Sequence, residues 1–248
     1  MLAGRSGRGI GAARGVAGAS RSKELAVTFS IVAGGPGEKT WGVGVASKFL
    51  AAGAVVPAAR VGAGAIATQS YPNPEHRLKG LELLASGLGA TDVVRELTST
   101  DELRDDRQVG VVDRHGGAAN FTGARCHSWA GGRCGRGYSV QGNMLVGPQV
   151  LAVMEETFLR SSDDLDLADR LLAALEAGDS AGGDLRGRQS AALLVVREGL
   201  AYIAGPSGPD DPLLDLRVDD DSNPLGRLRG LLTASRRVVG LPGPDFSS

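Results

Sequence analysis

Thr28 and Lys48 are the two residues whose types and spacing point most directly to chemistry. Thr28 begins the segment Thr-Phe-Ser-Ile-Val, and Lys48 follows the next β-branched segment, twenty residues later. As the first residue of a chain, Thr28 would carry a free α-amine with a pKa of about 8, which can take the proton from its own hydroxyl. A lysine ammonium beside that amine would lower its pKa and stabilise oxyanion charge. The alternative is an ordinary strand threonine and an edge lysine.

Two polar stretches at the ends of apolar segments are candidate parts of the same site. Gln69, Ser70 and Asn73 follow a strand-like run of small apolar residues, where the chain must turn, and we expect them to line a substrate pocket. Gly142 and Asn143 end another strand-like run just before a helix. The Gly142 N–H and the Asn143 amide would serve as oxyanion donors. A simple β-turn is the alternative for this second stretch.

Asp184 and Arg186 lie in a long glycine-rich loop that leads into an apolar, strand-like segment. Two interpretations fit this loop. Either the two residues form a structural ion pair, or the Arg186 fork binds a substrate carboxylate. Both residues are therefore candidate substrate-binding residues, with the structural pair as the alternative.

Other signatures of nucleophiles and metal sites are missing from the sequence. It contains no Gly-x-Ser-x-Gly elbow, no His-Glu-x-x-His motif and no Gly-x-x-x-x-Gly-Lys-Ser/Thr loop. Cys126 and Cys134, with His127 adjacent, match no zinc-binding spacing. The sequence therefore implies no metal and no organic cofactor. A thiol-dependent enzyme built on Cys126 is a weaker alternative.

The composition indicates a folded chain with a small-molecule partner. Hydrophobic residues make up 42% of the 248 residues, which is enough for a sizeable core. The formal net charge of -1 gives no reason to expect nucleic acid or an acidic membrane as partner, and no apolar run is long enough to span a membrane. We expect a cytoplasmic protein that acts on a small-molecule substrate. Whether it forms a homo-oligomer is left open.

The order of the predicted elements favours an α+β fold. Strands are predicted over residues 27–33, 41–47, 61–69, 108–113, 118–122, 138–141, 190–197, 201–204 and 213–218. Helices are predicted over residues 77–85, 91–98, 148–159, 165–176 (closed by Gly178) and 224–236. Because strands follow one another and helices come in pairs, the best fit is a four-layer αββα sandwich with helices outside two packed sheets.

Residues 1–27 differ from the rest of the chain. Up to Lys23 this segment is rich in arginine and glycine, has no acidic residue and shows no apolar periodicity. Such a segment cannot bury enough apolar surface to offset the entropy of ordering it. We expect a disordered basic leader over residues 1–27 and a single domain over residues 28–248.

Eight segments, in order and with compatible spacing, resemble the family catalogued as domain of unknown function 1028. They are TFSIVA, WGVGVASKFLAAGAVVPAA, GAGAIATQSYPNP, GLELLASG, QVGVVD, SWAGG, GYSVQGNML and GGDLRGRQSAALLVV, and they lie between Thr28 and Leu232. The resemblance implies an αββα fold similar to that of the N-terminal nucleophile hydrolases, which cleave amide bonds. Family members typically begin at the residue that matches Thr28, preceded only by a removable methionine, whereas 27 residues precede Thr28 here.

Two routes would still free the Thr28 amine. Translation can start at Val27 if its codon is GTG, or the Val27–Thr28 bond can be cleaved by the protein itself. We therefore predict an N-terminal nucleophile amide hydrolase acting on a small amide or peptide-like substrate. The competing class is a non-catalytic module on the same fold that binds a cell-wall or amino-acid-like ligand through Arg186.

Overall fold

The computed structural model describes residues 28–35, 37, 39–161, 165–203 and 208–239. The predicted leader over residues 1–27 lies outside this part of the chain. The described strands are β1 (Thr28–Gly35), β2 (Thr40–Ser47), β3 (Pro57–Arg60), β4 (Gly64–Ser70), β5 (Arg107–Asp113), β6 (Ala118–Thr122), β7 (Gly131–Gly135), β8 (Tyr138–Gly142), β9 (Ser190–Arg197) and β10 (Leu214–Val218).

The strands form two antiparallel sheets. The larger sheet has the strand order β10-β9-β2-β1-β8-β7, and the smaller has the order β3-β4-β5-β6. The hairpin of β1 and β2 lies at the centre of the larger sheet, with Thr28 opposite Ser47. This central position gives β1 a neighbouring strand on both sides.

The helices are α1 (Ala52–Val55), α2 (Pro74–Ala85), α3 (Ala90–Ser99), α4 (Gln149–Arg160), α5 (Leu167–Ser180) and α6 (Pro224–Val239), and Arg104–Asp106 forms a 3₁₀ turn. Local signals begin two of them. The Asn73 side chain accepts a hydrogen bond from the N–H of Glu75 ahead of α2, and Asp166 does the same for Asp169 in α5. In the described segments, no helix is both long and apolar enough to cross a membrane.

The core contains three apolar clusters, because successive side chains of a strand point to opposite faces of its sheet. Phe29 and Ile31 of β1 pack in the cluster that contains α4 and α5. Val32 faces the other way and packs with Ala67 of β4, between the two sheets. Ile66 of β4 points away from that layer and packs with residues of α2 and α3. The two sheets therefore pack face to face, and helices cover the outer face of each.

The predicted α+β class is confirmed by the two antiparallel sheets and six helices of the described residues. Helix α1 and strands β3 and β7 were not predicted from the sequence. Their alanine and glycine residues have little intrinsic preference for strands, and pairing with β4 and β8 stabilises the two missed strands. The predicted strand over residues 201–204 is wrong over residues 201–203, which are not in a strand, and β9 pairs with β10 instead.

Gly178 does not end a helix, contrary to the prediction. Helix α5 continues through Gly178 to Ser180. A Cβ atom at position 178 would lie 2.7 Å from Cγ of Met154 and 3.5 Å from the Phe29 ring. The glycine therefore allows α5 to approach α4 and β1 closely, which is a packing role and not a capping role.

Candidate functional site

Thr28 lies at the first position of β1, and its side chain is fully buried. Its Oγ1 atom is 3.2 Å from Oγ of Ser47 on β2. Because side chains alternate along a strand, Thr28 shares the face of Ser30 and Val32, which looks toward the smaller sheet. Strand β1 pairs with β2, so Thr28 lies on the strand next to the one that leads to Lys48.

A row of hydroxyl groups crosses three neighbouring strands at this end of the larger sheet. Thr28 pairs with Ser47, and Ser47 pairs in turn with Ser190 of β9. The Ser190 hydroxyl donates to the carbonyl oxygen of Phe49 at 2.6 Å and accepts from the N–H of Ala52 at 3.1 Å. Ser190 thereby holds the chain that leaves β2, whereas Ser47 is the hydroxyl next to Thr28.

Buried amide side chains link Thr28 to the smaller sheet. Nε2 of Gln69 donates to the carbonyl oxygen of Thr28 at 3.2 Å and to Oε1 of Gln108 at 2.8 Å. Oε1 of Gln69 accepts from the Ser30 hydroxyl at 2.6 Å. Gln69 and Gln108 have no solvent exposure. A polar layer therefore connects β1 with β4 and β5, beyond the apolar layer around Val32.

The polar layer continues along β8. Nε2 of Gln141 donates to the Ser30 hydroxyl at 2.7 Å, and Oε1 of Gln141 accepts from Ser139 at 2.7 Å. A Cβ atom at Gly110 of β5 would collide with the Gln141 amide. The missing side chain at Gly110 is what allows Gln141 to lie between the sheets. Sequence analysis did not single out Gln108, Gln141 or Gly110, because no local pattern indicates that they meet.

Asn143 and Gly142 lie next to Thr28 as expected, but most of their polar groups are already hydrogen-bonded to other groups of the protein. The Asn143 N–H donates to the carbonyl oxygen of Thr28 at 3.1 Å, and its Nδ2 donates to Oε1 of Gln108 at 3.0 Å. Gly142 pairs with Phe29 on β1, and its carbonyl oxygen accepts from Gln108 at 2.9 Å. Their role as oxyanion donors stays a prediction.

Lys48, Asp184 and Arg186 form one cluster just beyond β2. The Asp184 carboxylate accepts from the N–H of Lys48 at 2.8 Å and from the N–H of Arg186 at 2.9 Å. Nη2 of Arg186 lies 3.3 Å from that carboxylate and donates to the Lys48 carbonyl oxygen at 2.7 Å. Nζ of Lys48 donates to the Arg188 carbonyl oxygen at 3.3 Å. Asp184 and Arg186 thus tie the glycine-rich loop to the end of β2.

Ser70 and Asn73 follow Gln69 along the chain, at the end of β4 and just before α2. Ser70 ends β4 with a φ of 71°, the left-handed region that non-glycine residues seldom occupy. It faces the opposite side of β4 from Gln69. Asn73 caps α2, and its Nδ2 donates to Asp101 at 3.4 Å. The structure therefore brings Gln69, but not Asn73, into the hydrogen-bonded layer around Thr28.

Asp101 joins β5 to the start of α2. Its carboxylate lies 2.8 Å from Nε of Arg107 and 3.1 Å from Nε2 of His76. Burial acts to raise the pKa of Asp101, but hydrogen bonds from Arg107, the Leu103 N–H and Asn73 outweigh it and lower the pKa to about 2. Burial lowers the pKa of His76 despite the neighbouring carboxylate. This cluster supports the segment that carries Ser70 and Asn73.

The surroundings of Cys126 disfavour the thiolate form of its side chain. Burial raises the pKa of the Cys126 thiol, although hydrogen bonds from Ser70 and the Gly123 backbone act to lower it. A cysteine nucleophile needs a lowered pKa, because the thiolate is the reactive form. Among the residues that the structure describes, no cluster of three or more His, Cys, Asp or Glu residues is arranged to hold a metal ion.

The comparisons with known proteins agree on one family. The model of the family of unknown function DUF1028 matches residues 28–228. The crystal structure of protein SPO2555 from Silicibacter pomeroyi, a DUF1028 protein, is 33% identical, with a TM-score of 0.75 over 85% of this chain and 89% of that chain. No curated protein matches the chain. The chain belongs to the DUF1028 family.

Proposed function

We propose that this protein is an amide-bond hydrolase of the N-terminal nucleophile type, with Thr28 as its nucleophile. The observation that carries the proposal is the position of Thr28. It is the first residue of the central strand, its hydroxyl faces the gap between two packed sheets, and Ser47 lies 3.2 Å away. Helices on both outer faces are consistent with the αββα sandwich of that superfamily. Resemblance of fold alone does not determine chemistry, so the proposal depends on Thr28.

In the proposed reaction, the free α-amine of Thr28 takes the hydroxyl proton while Oγ1 attacks the carbonyl carbon of the substrate amide. The ammonium then returns the proton to the leaving nitrogen, and an ester to Thr28 remains. Water, activated by the same amine, hydrolyses that ester and releases a carboxylic acid. No external oxidant or cofactor enters this sequence.

Neighbouring groups have distinct parts in this proposal. Lys48 directly follows Ser47, and its part in the proposal is to tune the Thr28 amine; this requires that Nζ leave the Arg188 carbonyl oxygen, to which it donates in this structure, and turn toward Thr28. Nδ2 of Asn143 carries a second hydrogen besides the one given to Gln108, and it is available to the oxyanion. Gln69 and the Asn143 N–H hold the Thr28 carbonyl oxygen and so fix the orientation of the nucleophile.

The mechanism requires that no residue precede Thr28 in the active protein. A translation start at Val27 followed by removal of the first residue would meet this requirement. Self-cleavage would also meet it: Thr28 Oγ1 attacks the Val27 carbonyl, the acyl group moves from nitrogen to oxygen, and water hydrolyses the ester. The products are a new carboxylate on Val27 and the free amine of Thr28.

The test combines N-terminal sequencing with a panel of variants. Protein from its native host should begin at Thr28 and hydrolyse at least one member of a library of small amides and peptides. Thr28→Ala should abolish this activity, Thr28→Ser should retain part of it, and Thr98→Ala, which removes a buried hydroxyl on α3, should leave it unchanged. Active protein that retains Val27 would overturn the mechanism.

Two further variants, Arg186→Gln and Cys126→Ser, separate the two alternative classes. A binding module that depends on Arg186 would lose ligand binding in Arg186→Gln and show no hydrolysis with any variant. A thiol enzyme would lose activity in Cys126→Ser and not in Thr28→Ala. The buried Thr28–Ser47 pair favours the nucleophile at Thr28, and the raised pKa of the Cys126 thiol argues against the thiol enzyme.

A further inference from the structure

A cavity lies at the opposite end of β1 from Thr28. It has a volume of about 220 Å³, and its lining includes Gly35 and Gly37 near the β1–β2 turn, Phe158 of α4, and the two arginines Arg136 and Arg170. We call it the arginine cavity. Thr28 and Gly35 are seven residues apart on one strand, which separates the arginine cavity from Thr28 by about 23 Å at about 3.3 Å per residue.

In the described part of the chain, the two arginines of this cavity have no acidic partner. Within the described ranges, no carboxylate lies within 4.0 Å of the guanidinium nitrogens of Arg136 or Arg170. Nearby Arg133 of β7, by contrast, pairs with Glu155 of α4. Two cations that share one cavity repel each other, and an anion between them would remove that repulsion.

Arg170 is held in an orientation that leaves a donor unused. Its Cζ atom lies 4.4 Å from the centroid of the Phe158 ring, so the guanidinium stacks on the aromatic face. Its Nη2 makes a long hydrogen bond of 3.5 Å to the Phe158 carbonyl oxygen. The Nε atom is buried and has no hydrogen-bond partner. A buried N–H without an acceptor is costly, which points to an acceptor that binds here.

The glycines leave room beside these arginines. A Cβ atom at Gly35 or Gly37 would meet no other atom within 4 Å. Gly137, next to Arg136, has a φ of 79°, a conformation that L-residues with side chains rarely adopt. Backbone without side chains therefore borders the open space, and a compact ligand can reach the guanidinium of Arg170 from it.

We propose that the arginine cavity binds a phosphate group, as free phosphate or as a phosphate ester. A doubly charged tetrahedral anion matches two guanidinium groups in charge, and its oxygens can accept from the N–H groups of both guanidiniums. A single carboxylate would balance only one of the two charges. This site is independent of the proposed chemistry at Thr28.

Isothermal titration calorimetry of the full chain at pH 7.5 and low ionic strength tests the proposal. Inorganic phosphate should bind to one site per chain, more tightly than acetate, and added sodium chloride should weaken the binding. Arg170→Gln and Arg136→Gln should each weaken phosphate binding about tenfold, the loss expected for a charge-assisted hydrogen bond. Phenyl phosphate as a second titrant distinguishes an ester ligand, which should then bind more tightly, from free phosphate.

The controls decide where any phosphate binds. Arg237→Gln removes an exposed charge on α6 and should leave binding unchanged. Arg136 is exposed in a turn, so Arg136→Gln keeps the test valid if Arg170→Gln unfolds, which circular dichroism would reveal. No saturable heat at millimolar phosphate would overturn the proposal. Binding that survives both cavity variants and disappears in Arg186→Gln would overturn it too, because the anion would then lie at the other end of β1.

Discussion

The Gln69 side chain donates from Nε2 to the carbonyl oxygen of Thr28 at 3.2 Å, across the gap between the two sheets. Gln69 belongs to the smaller sheet and Thr28 to the larger one. The hydrogen bond therefore depends on how the sheets pack and couples the position of the proposed nucleophile to that packing.

Gln69→Leu should destabilise the fold. It removes a fully buried amide and leaves the Ser30 hydroxyl and Oε1 of Gln108 without this partner. The loss of buried hydrogen bonds should lower the free energy of unfolding by about 1 to 3 kcal/mol. Urea denaturation followed by fluorescence measures this change. Gln149→Leu, at an exposed position on α4, is the matched control and should change the stability by less than about 0.5 kcal/mol.

Gly110→Ala should be destabilising because its Cβ atom would collide with the Gln141 amide. Overpacking of this kind costs about 1 to 3 kcal/mol. The double variant Gly110→Ala/Gln141→Ala should recover part of the loss, which a double-mutant cycle in urea quantifies. Additive losses in that cycle would show that the two residues do not compete for the same space.

Gly230→Ala is the control of opposite sign for Gly110→Ala. Gly230 is exposed in α6, and a Cβ atom there would meet nothing within 4 Å. Alanine is more favourable than glycine in the interior of a helix, so this variant should stabilise the protein by about 0.5 to 1 kcal/mol.

Ser47→Ala should slow the reaction that we propose for Thr28. Without the Ser47 hydroxyl 3.2 Å away, Oγ1 of Thr28 loses one group that orients it. A neutral hydrogen bond of this kind corresponds to a decrease in kcat of about fivefold, with KM little changed. Steady-state kinetics over a range of pH should show the slower rate at every pH, and Ser47→Thr should restore part of it. An unchanged kcat in Ser47→Ala would remove Ser47 from the mechanism.

Low pH should weaken the interactions of the Asp101 carboxylate with Arg107 and His76. The folded-state pKa of Asp101 is about 2, below its ordinary value of 3.8, so ionised Asp101 stabilises the fold above about pH 4. This contribution, about 2 kcal/mol, is lost as the pH falls through 2. Asp101→Asn should therefore lower the free energy of unfolding at pH 7 by about 2 to 4 kcal/mol, because Arg107 also loses its buried partner.

The pH dependence separates this effect from a simple loss of packing. Urea denaturation should show the gap between the unmodified protein and Asp101→Asn narrowing as the pH falls below about 4. Asp92→Asn, which breaks an exposed pair with Arg95, should change little at any pH. A gap that stays constant down to pH 2 would contradict the lowered pKa of Asp101.

Much of the secondary structure followed from local signals in the sequence. The β-branched segments on either side of the turn at Gly34 and Gly35 predicted strands over residues 27–33 and 41–47, and the observed pairing of β1 with β2 places Thr28 beside the end of β2. The start of α2 was predicted three residues late, at Arg77, although Asn73 caps the helix and Pro74 is its first residue. Such signals are readable because they depend on residues a few positions apart, whose preferences act before any tertiary contact forms.

The polar layer around Thr28 was decided by tertiary structure alone. Gln69, Gln108 and Gln141 come from three strands in two sheets; the sequence predicted only Gln69 as a pocket residue, and Gln108 and Gln141 look like ordinary polar residues in their own segments. Only the register of those strands and the face-to-face packing of the sheets bring Gln69 to Gln108 and to the Thr28 carbonyl oxygen, and Gln141 to the Ser30 hydroxyl. The same holds for Asp101 with His76, and for Arg170 on Phe158. Burial and partners are set by the whole fold, so no short pattern in the chain specifies them.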